Sequence, residues 1–365
     1  MKNTFGQSIS LTLFGESHGA AIGAVLDGLT PGLTIDMDFI KMYLDKRKGI
    51  NEISTPRREA DQVEFLSGVF EGKTTGTPLA FIIRNNDTKS KDYEEMRSVA
   101  RPSHADYTAE IKYLGFQDYR GGGHFSGRLT APIVVAGAII TSALNKKGIE
   151  IGTHIKSLGT ISEKSFDEAN SEEIKSLFEK DFPVLDEAMG QKMKEEILNA
   201  KADGDSIGGI LETAVAGLPA GVGEPWFDSL EGVISHALFS IPAVKGVEFG
   251  GGFEMCGKRG SQVNDGLRTD GEKVYTETNY SGGINGGISN GMPVIFRTGI
   301  KPTPTIGKAQ DTVNIKTMEN AEIKGKGRHD PAIIHRAAIV VSSMTAITIA
   351  DSLAQRFGTN FLGEN

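Results

Sequence analysis

The chain reads as an α+β protein with mixed sheets, built from two related α/β halves about a pseudo-two-fold. Three observations predict this. First, Gly72-Lys-Thr-Thr-Gly76-Thr-Pro78-Leu-Ala-Phe81-Ile-Ile-Arg84 has a counterpart in Gly287-Ile-Ser-Asn-Gly291-Met-Pro293-Val-Ile-Phe296-Arg297, an offset of 215 residues (287 minus 72) that also sets Phe65–Gly68 opposite Tyr280–Gly283. Second, Gly28-Leu-Thr-Pro-Gly32-Leu33 has a counterpart in Gly217-Leu-Pro-Ala-Gly221-Val222, each following an apolar stretch. Third, both pairs occur in the same order, as internal repeats of a fold do. One domain over 1–365 fits this better than three independent ones, with halves at about 1–145 and 205–357.

Strands are expected at Ser8–Phe14, Ile210–Val215 and Val294–Arg297, where apolar and β-branched residues sit between turn formers. Residues 131–144 form an apolar helix with Pro132 near its first turn. A second spans 333–357, after Asp330-Pro331, where an N-cap aspartate before an N1 proline is a start signal. Between the halves, 150–204 reads as an acidic helical connection. Its glutamates and aspartates are punctuated by Leu177, Phe178, Ile197 and Leu198, a narrow apolar stripe with a solvated acidic face.

Composition excludes several classes. Glycine is 46 of 365 residues, against roughly 7% in an average protein. It has no three-residue period, so collagen is excluded, and the excess marks sharp turns or backbone close to a ligand. The formal charge of −8 argues against non-specific nucleic-acid or anionic-membrane partners. A single cysteine, Cys256, excludes an intramolecular disulfide framework and a cysteine metal cluster. The start of the chain lacks a signal-peptide pattern, and no run of 18 apolar residues is uninterrupted, so a cytoplasmic setting without a membrane span is expected.

Chemistry-bearing residues gather beside the glycines. Gly15-Glu-Ser-His-Gly19 puts His18 after a strand, with backbone free to approach a ligand and an imidazole suited to acid–base work near neutrality. Arg101-Pro-Ser-His-Ala-Asp-Tyr107 adds His104. Arg120-Gly-Gly-Gly-His-Phe-Ser-Gly-Arg-Leu-Thr130 enters a helix N-terminus, an arrangement that binds phosphate through backbone N–H groups. It is not a P-loop, because no Gly-Lys-Ser/Thr follows. Lys301-Pro-Thr-Pro-Thr305 is a stiff, hydroxyl-bearing segment headed by a cation, and Gly327-Arg-His-Asp330 sets three functional side chains in a row. Arginines beside Gly/His loops suit a polyanionic small molecule gripped bidentately. HxH and HExxH spacings are absent, so no transition metal is expected. These residues point to an enzyme acting on a phosphorylated small molecule. They do not name the reaction.

Taken together, Phe14-Gly-Glu-Ser-His-Gly19, Arg57-Arg-Glu59, Arg101-Pro-Ser-His-Ala-Asp-Tyr-Thr108, Asp118-Tyr-Arg-Gly-Gly-Gly123, Gly204-Asp-Ser-Ile-Gly208, Lys301-Pro-Thr303 and Gly327-Arg-His-Asp-Pro331 resemble the chorismate synthase family, in family order from about residue 4 to 355. The resemblance implies a β-α-β sandwich, a homotetramer and a carbon–oxygen lyase that converts 5-enolpyruvylshikimate 3-phosphate into chorismate and phosphate with reduced FMN. It implies catalytic roles for His18, His104 and Asp330. Cofactor contacts would fall on His124, Phe125, Ser126, Gly286, Lys301, Pro302, Thr303, Pro304, Thr305 and Arg328, and substrate or phosphate contacts on Arg47, Arg58, Arg101 and Arg128. The chain departs from many members at His124, where an arginine is usual, at Leu129, where a glutamate is usual, and at Ser103, where a glycine is usual. Lys46-Arg47-Lys48-Gly49 replaces a longer Arg-Arg-Arg-Pro-Gly. No Rossmann G-x-G-x-x-G follows a strand, so NADPH is a candidate reductant without a visible site. A flavin-independent phosphosugar lyase or isomerase is the alternative on the same residues.

Overall fold

The computed structural model describes residues 2–50, 52–54, 61–86, 98–166, 169–325 and 330–363. The first half runs β1 (Thr4–Phe5), β2 (Ser10–Gly15), β3 (Ala21–Asp27), α1 (Met37–Lys46), β4 (Val63–Ser67), β5 (Val69–Phe70), β6 (Lys73–Thr74), β7 (Leu79–Arg84), α2 (Asp106–Lys112) and α3 (Thr130–Lys146). Then follow β8 (Glu150–Leu158), β9 (Ile161–Ser162), α4 (Ser171–Phe178), α5 (Glu187–Ala202), β10 (Gly209–Ala216), α6 (Leu230–Phe239) and β11 (Val244–Phe249). The chain closes with α7 (Gly260–Val263), β12 (Leu267–Thr269), β13 (Val274–Thr276), β14 (Ile284–Asn285), β15 (Ile288–Ser289), β16 (Val294–Ile300), β17 (Ala309–Asn314), β18 (Glu319–Lys324) and α8 (Ile334–Phe357).

Two five-stranded sheets, ordered β1-β2-β3-β7-β4 and β11-β16-β10-β8-β9, enclose α3 and α8. α3 packs on α8, β2 and β3, whereas α8 packs on α3, β8 and β10. A helix apolar on all sides has to be enclosed, and α8 is buried from Ile334 through Ala354 apart from Arg336. Three of its buried hydroxyls bond within the helix: Thr345 donates to the Val341 carbonyl (2.8 Å), Thr348 to Met344 (2.8 Å) and Ser352 to Thr348 (3.0 Å), while Ser342 pairs with Thr153 of the second sheet (2.8 Å). The stretch Arg120–Lys146, which contains α3, and helix α8 have the length and hydropathy of a membrane span, yet 89% and 100% of their most apolar windows are buried inside the fold. Buried Asp351 ties the helix to the first sheet by accepting from the N–H groups of Gln7, Ser8 and Ile9 at 2.7–3.0 Å.

The strands β2, β3, β4 and β7 lie in the order β2-β3-β7-β4, and β8, β10, β11 and β16 in the order β8-β10-β16-β11. In both sets a helix follows the second strand (α1, α6), and a long apolar helix comes later after the fourth, beyond α2 in one case and beyond β17 and β18 in the other (α3, α8). The glycine ending the second strand does the same job twice. Gly28 (φ +83°) and Gly217 (φ +74°) turn so tightly that a Cβ would lie 1.9 Å from the Ser8 carbonyl and 2.0 Å from the Gly148 carbonyl, just ahead of β2 and β8.

Three expectations need correction. The sheets are not mixed: all pairings among the described residues are antiparallel, through short turns such as 16–20 for some neighbours and through long connections that return the chain in the opposite sense for others, such as β3 with β7 and β10 with β16. Residues 150–158 are not part of a helical connection but form β8, inside the second sheet between β10 and β9. Helices begin only at Ser171, and the acid-rich stretch downstream masked the alternation of Ile151, Thr153 and Ile155. Asp330 does not cap α8: the N-cap is Ile333, with no side-chain cap, and the Asp330 carboxylate pairs with Arg336 instead.

The outer face of the second sheet holds a buried charge network. His154 Nε2 binds Glu212 (3.0 Å) and Nδ1 binds Glu163; Glu163 also accepts from the N–H groups of Leu185 and Asp186. Glu212 further accepts from Phe166 N–H and from Arg297, which reaches Glu248. Burial opposes charge on His154, but the bonds to both carboxylates prevail and raise it above 6.5. Burial likewise raises Glu212, yet His154 and its other donors outweigh it and hold the carboxyl at about 2.

Two predictions follow from this packing. α3 meets α8 tightly at Gly137, where a Cβ would lie 2.2 Å from Ser343 Cβ. Alanine normally favours a helix over glycine by about 1 kcal/mol, but here Gly137→Ala should destabilise by about 1–3 kcal/mol through overpacking; a raised Tm would contradict it. For the charge network, the raised His154 stabilises fully below pH 6.5 and loses its effect as pH rises through its folded value, while Glu212 loses its effect as pH falls from 4.5 toward 2. The Tm gap between the native chain and His154→Gln should therefore be widest between pH 4.5 and 6.5 and narrow in alkali.

Candidate active site

The turn between β2 and β3 carries His18, and it is gripped from two sides. On one side, Ser17 N–H donates to the Gly123 carbonyl (3.1 Å) and His124 Nδ1–H to the Gly15 carbonyl (2.8 Å). On the other, Asn85 follows β7 and donates from Nδ2 to the carbonyls of Glu16 (3.0 Å) and Gly19 (2.9 Å). Gly121–Gly123 have φ of +60°, +83° and +53°, a run that side chains would strain. A Cβ on Gly121 would meet the His18 ring at 2.5 Å, and one on Gly122 would lie 3.5 Å from His104. The triplet is thus a bare strip of backbone between the two histidines.

His104 is oriented by Asp106. Its Nδ1 lies 2.8 Å from Asp106 Oδ1, and a carboxylate only accepts, so Nδ1 carries a proton and Nε2 remains for chemistry. Arg101 chelates Asp106 through Nε and Nη2, both at 2.7 Å, and its N–H donates as well. Burial works against the charged carboxyl, but the bonds from Arg101 and His104 hold Asp106 far below the usual carboxylate range. A small cavity lies here, lined by His104, Asp106, Asp118, Gly122, Phe125 and Ile315.

The second group is a chain of buried ion pairs. Asp61 joins Arg47 (3.2 Å) to Arg128, and all three are less than 9% exposed. Arg128 Nε continues to Asn85 Oδ1 (3.2 Å). Arg47 Nη1 approaches Thr130 at the start of α3 (3.5 Å), and its carbonyl accepts from Arg336 in the first turn of α8 (2.9 Å). Arg336 also pairs with Asp330. Burial pushes Arg47 down to about 10, with Asp61 opposing and the Arg336 and Arg128 charges adding to the fall. Among the described residues three guanidinium groups and two carboxylates meet here, an arginine-rich arrangement that suits an anionic ligand.

Lys301–Thr305 emerges from β16 beside both groups: Lys301 Nζ donates to the Ser103 carbonyl, and Thr303 Oγ1 to the Asp330 carbonyl (2.7 Å). The structure therefore brings together His18, His104, His124, Phe125, Arg47, Arg101, Arg128, Lys301, Thr303 and Asp330. Phe125 packs edge-on to Tyr113, Ser126 accepts from Arg128 N–H (3.3 Å), Pro302 abuts Gly208, and the Pro304 carbonyl accepts from Gln310 (3.3 Å). Gly286 is not gathered in. It turns the β14–β15 hairpin ahead of β16, beside the start of α6, whereas Lys301 follows the other end of that strand. Arg58 and Arg328 lie outside the described residues. Among the described residues no three His, Cys, Asp or Glu side chains cluster to hold a metal.

Sequence reasoning passed over Asp61, Asn85 and Arg336. No local pattern marks them, since each has a partner far away in the chain: Arg128 for Asp61, Glu16 for Asn85 and Arg47 for Arg336. Asp106 was inside a quoted motif, without a role.

The chain matches the family model described as chorismate synthase over residues 9–354. It is 46% identical over 351 residues to a chorismate synthase from Thermococcus kodakarensis, covering 96% of this chain and 97% of that one. A chorismate synthase from Methanobrevibacter smithii is 47% identical over 355 residues, at 97% and 96% coverage. A crystal structure of chorismate synthase superposes with a TM-score of 0.76 at 30% identity, covering 97% of this chain and 93% of that one.

Among the described residues Asp61 is the carboxylate common to two buried arginines, so Asp61→Ala removes a charge partner from both. A loss of about 3–5 kcal/mol is expected. Chemical denaturation reads it, and a loss below about 1 kcal/mol would show the arginines to be neutralised in another way.

Proposed function

Because the chain belongs to the chorismate synthase family, we propose that it catalyses the anti-1,4-elimination of phosphate from 5-enolpyruvylshikimate 3-phosphate to give chorismate, with reduced FMN and no net redox change. The observation that carries this reading is the bare Gly121–Gly123 backbone between His18 and His104, beside the arginine-rich cluster of Arg47, Arg128 and Arg336. The donor set fits a flavin phosphate: the Lys301 ammonium stands at the head of a segment that carries the Thr303 and Thr305 hydroxyls. Lys301 to Thr305 and Phe125 would hold the cofactor, with Ser126 beside them. When bound, reduced FMN supplies electron density transiently while the C–O bond breaks.

The chain's own groups do the rest. Arg47, Arg101 and Arg128 orient the carboxylates and phosphate of the substrate, with Arg58 and Arg328 assigned by their motifs. His18 gives a proton to the phosphate leaving C3, as a positioned imidazolium can. Asp330, kept next to a guanidinium by Arg336, accepts the proton lost from C6. His104, with its Nδ1 proton fixed by Asp106, turns Nε2 toward the glycine strip and steadies negative charge there. On the same reading the enzyme is a carbon–oxygen lyase, one domain of two related halves, assembled as a cytoplasmic homotetramer without nucleic-acid or membrane partners.

His18→Ala should lower kcat by about 10²-fold or more. An anaerobic assay with photoreduced FMN and 5-enolpyruvylshikimate 3-phosphate reads this, and repeating it with NADPH as sole reductant tests whether the chain reduces its own flavin. Turnover of that substrate without flavin, or none with it, would replace this reading by a flavin-independent lyase or isomerase.

A further inference from the structure

We propose that Asn85 is a positioning residue that sets the distance between His18 and the anion-binding guanidinium of Arg128. The inference rests on the roles given above to those two residues. Asn85 follows the last residue of β7, where its backbone N–H donates to the Ala20 carbonyl (3.2 Å). Its side-chain amide then uses both ends. Nδ2 donates to the Glu16 and Gly19 carbonyls, and Oδ1 accepts from Arg128 Nε.

Carbonyls only accept and a guanidinium only donates, so the amide has one possible orientation. Three carbonyls of the five-residue turn around His18 are therefore pinned by one residue. That residue is itself tied, through Arg128, to the buried Asp61–Arg47 pair. The glycine strip holds the opposite side of the turn, with no room between Gly121 and the imidazole. Aspartate at 85 would keep the shape and the bond from Arg128 but face two carbonyl oxygens with no proton to offer. Alanine would lose all three side-chain bonds. A shift of His18 of about 1 Å relative to the bound phosphate is enough to cost a large part of the rate, on the order of 10²-fold.

The test uses the full-length enzyme with reduced FMN. Asn85→Asp and Asn85→Ala are expected to lower kcat at least about ten-fold. In the His18→Ala background the same changes should lower it by less than about two-fold, because the group they misplace is gone. A kcat within about two-fold of native, or an undiminished loss in the His18→Ala background, overturns the proposal. If either variant fails to fold, Asn85→Ser, small and still able to make one bond, must show the same coupling or the proposal falls. A readout independent of turnover is the imidazole 15N spectrum of the folded Asn85→Ala protein. The His18 resonances should move and those of His124, on the other side of the turn, should not; an unmoved His18 also overturns the proposal. Should the native enzyme not consume 5-enolpyruvylshikimate 3-phosphate, the functional reading fails, and the spectrum still decides whether Asn85 positions His18.

Discussion

Enclosure of α3 and α8 is the constraint on which the remaining structure depends. Neither helix has a polar face wide enough to meet water, so each must be covered, and two antiparallel sheets with the helices between them meet that need. The consequence for function comes at the helix starts. α3 begins just after Arg128, and α8 carries Arg336 in its first turn; both reach Arg47. The packing of the apolar layer thereby gathers three arginines and the Asp330 segment at one place. The positive ends of two helix dipoles add to the potential there.

Buried arginines are costly unless they are paired, and the way they are paired here divides the polar network into two tasks. Asp61 and Asp330 keep the guanidinium groups in place. Asp106 and Asn85 serve the histidines instead. One fixes the His104 proton on Nδ1, and the other clamps the turn that carries His18. The His154–Glu163–Glu212–Arg297 network on the outer face of the second sheet has a different character: it ties Glu163, Phe166 and the backbone of Asp186 to β8 and β10.

Much of the fold was legible in the residues. The paired Gly-Pro turns correspond to equivalent points in the two sheets, and the apolar runs became the two central helices within a residue or two. β8 was not legible as a strand, because its length is split between buried Ile151, Thr153 and Ile155 and a polar face whose His154 is satisfied only by groups from elsewhere. The antiparallel sense of the sheets was also hidden. Alternation of apolar residues reports that a strand has a buried face and says nothing of the direction of its neighbour.

The candidate site divides in the same way. The amino-acid sequence alone determined which loops hold chemistry: glycine beside histidine, arginine beside glycine, and a stiff lysine-headed segment are local signals, because backbone freedom and proline geometry act over a few residues. Only the tertiary structure decided which side chains meet. Asn85 reaches Glu16 across 69 residues, and Arg336 reaches Arg47 across 289. It also turned Asp330 from a helix cap into the partner of Arg336, and it left Gly286 at the far end of β16. Such pairings follow from how the sheets close over the two helices, and no local spacing records that closure.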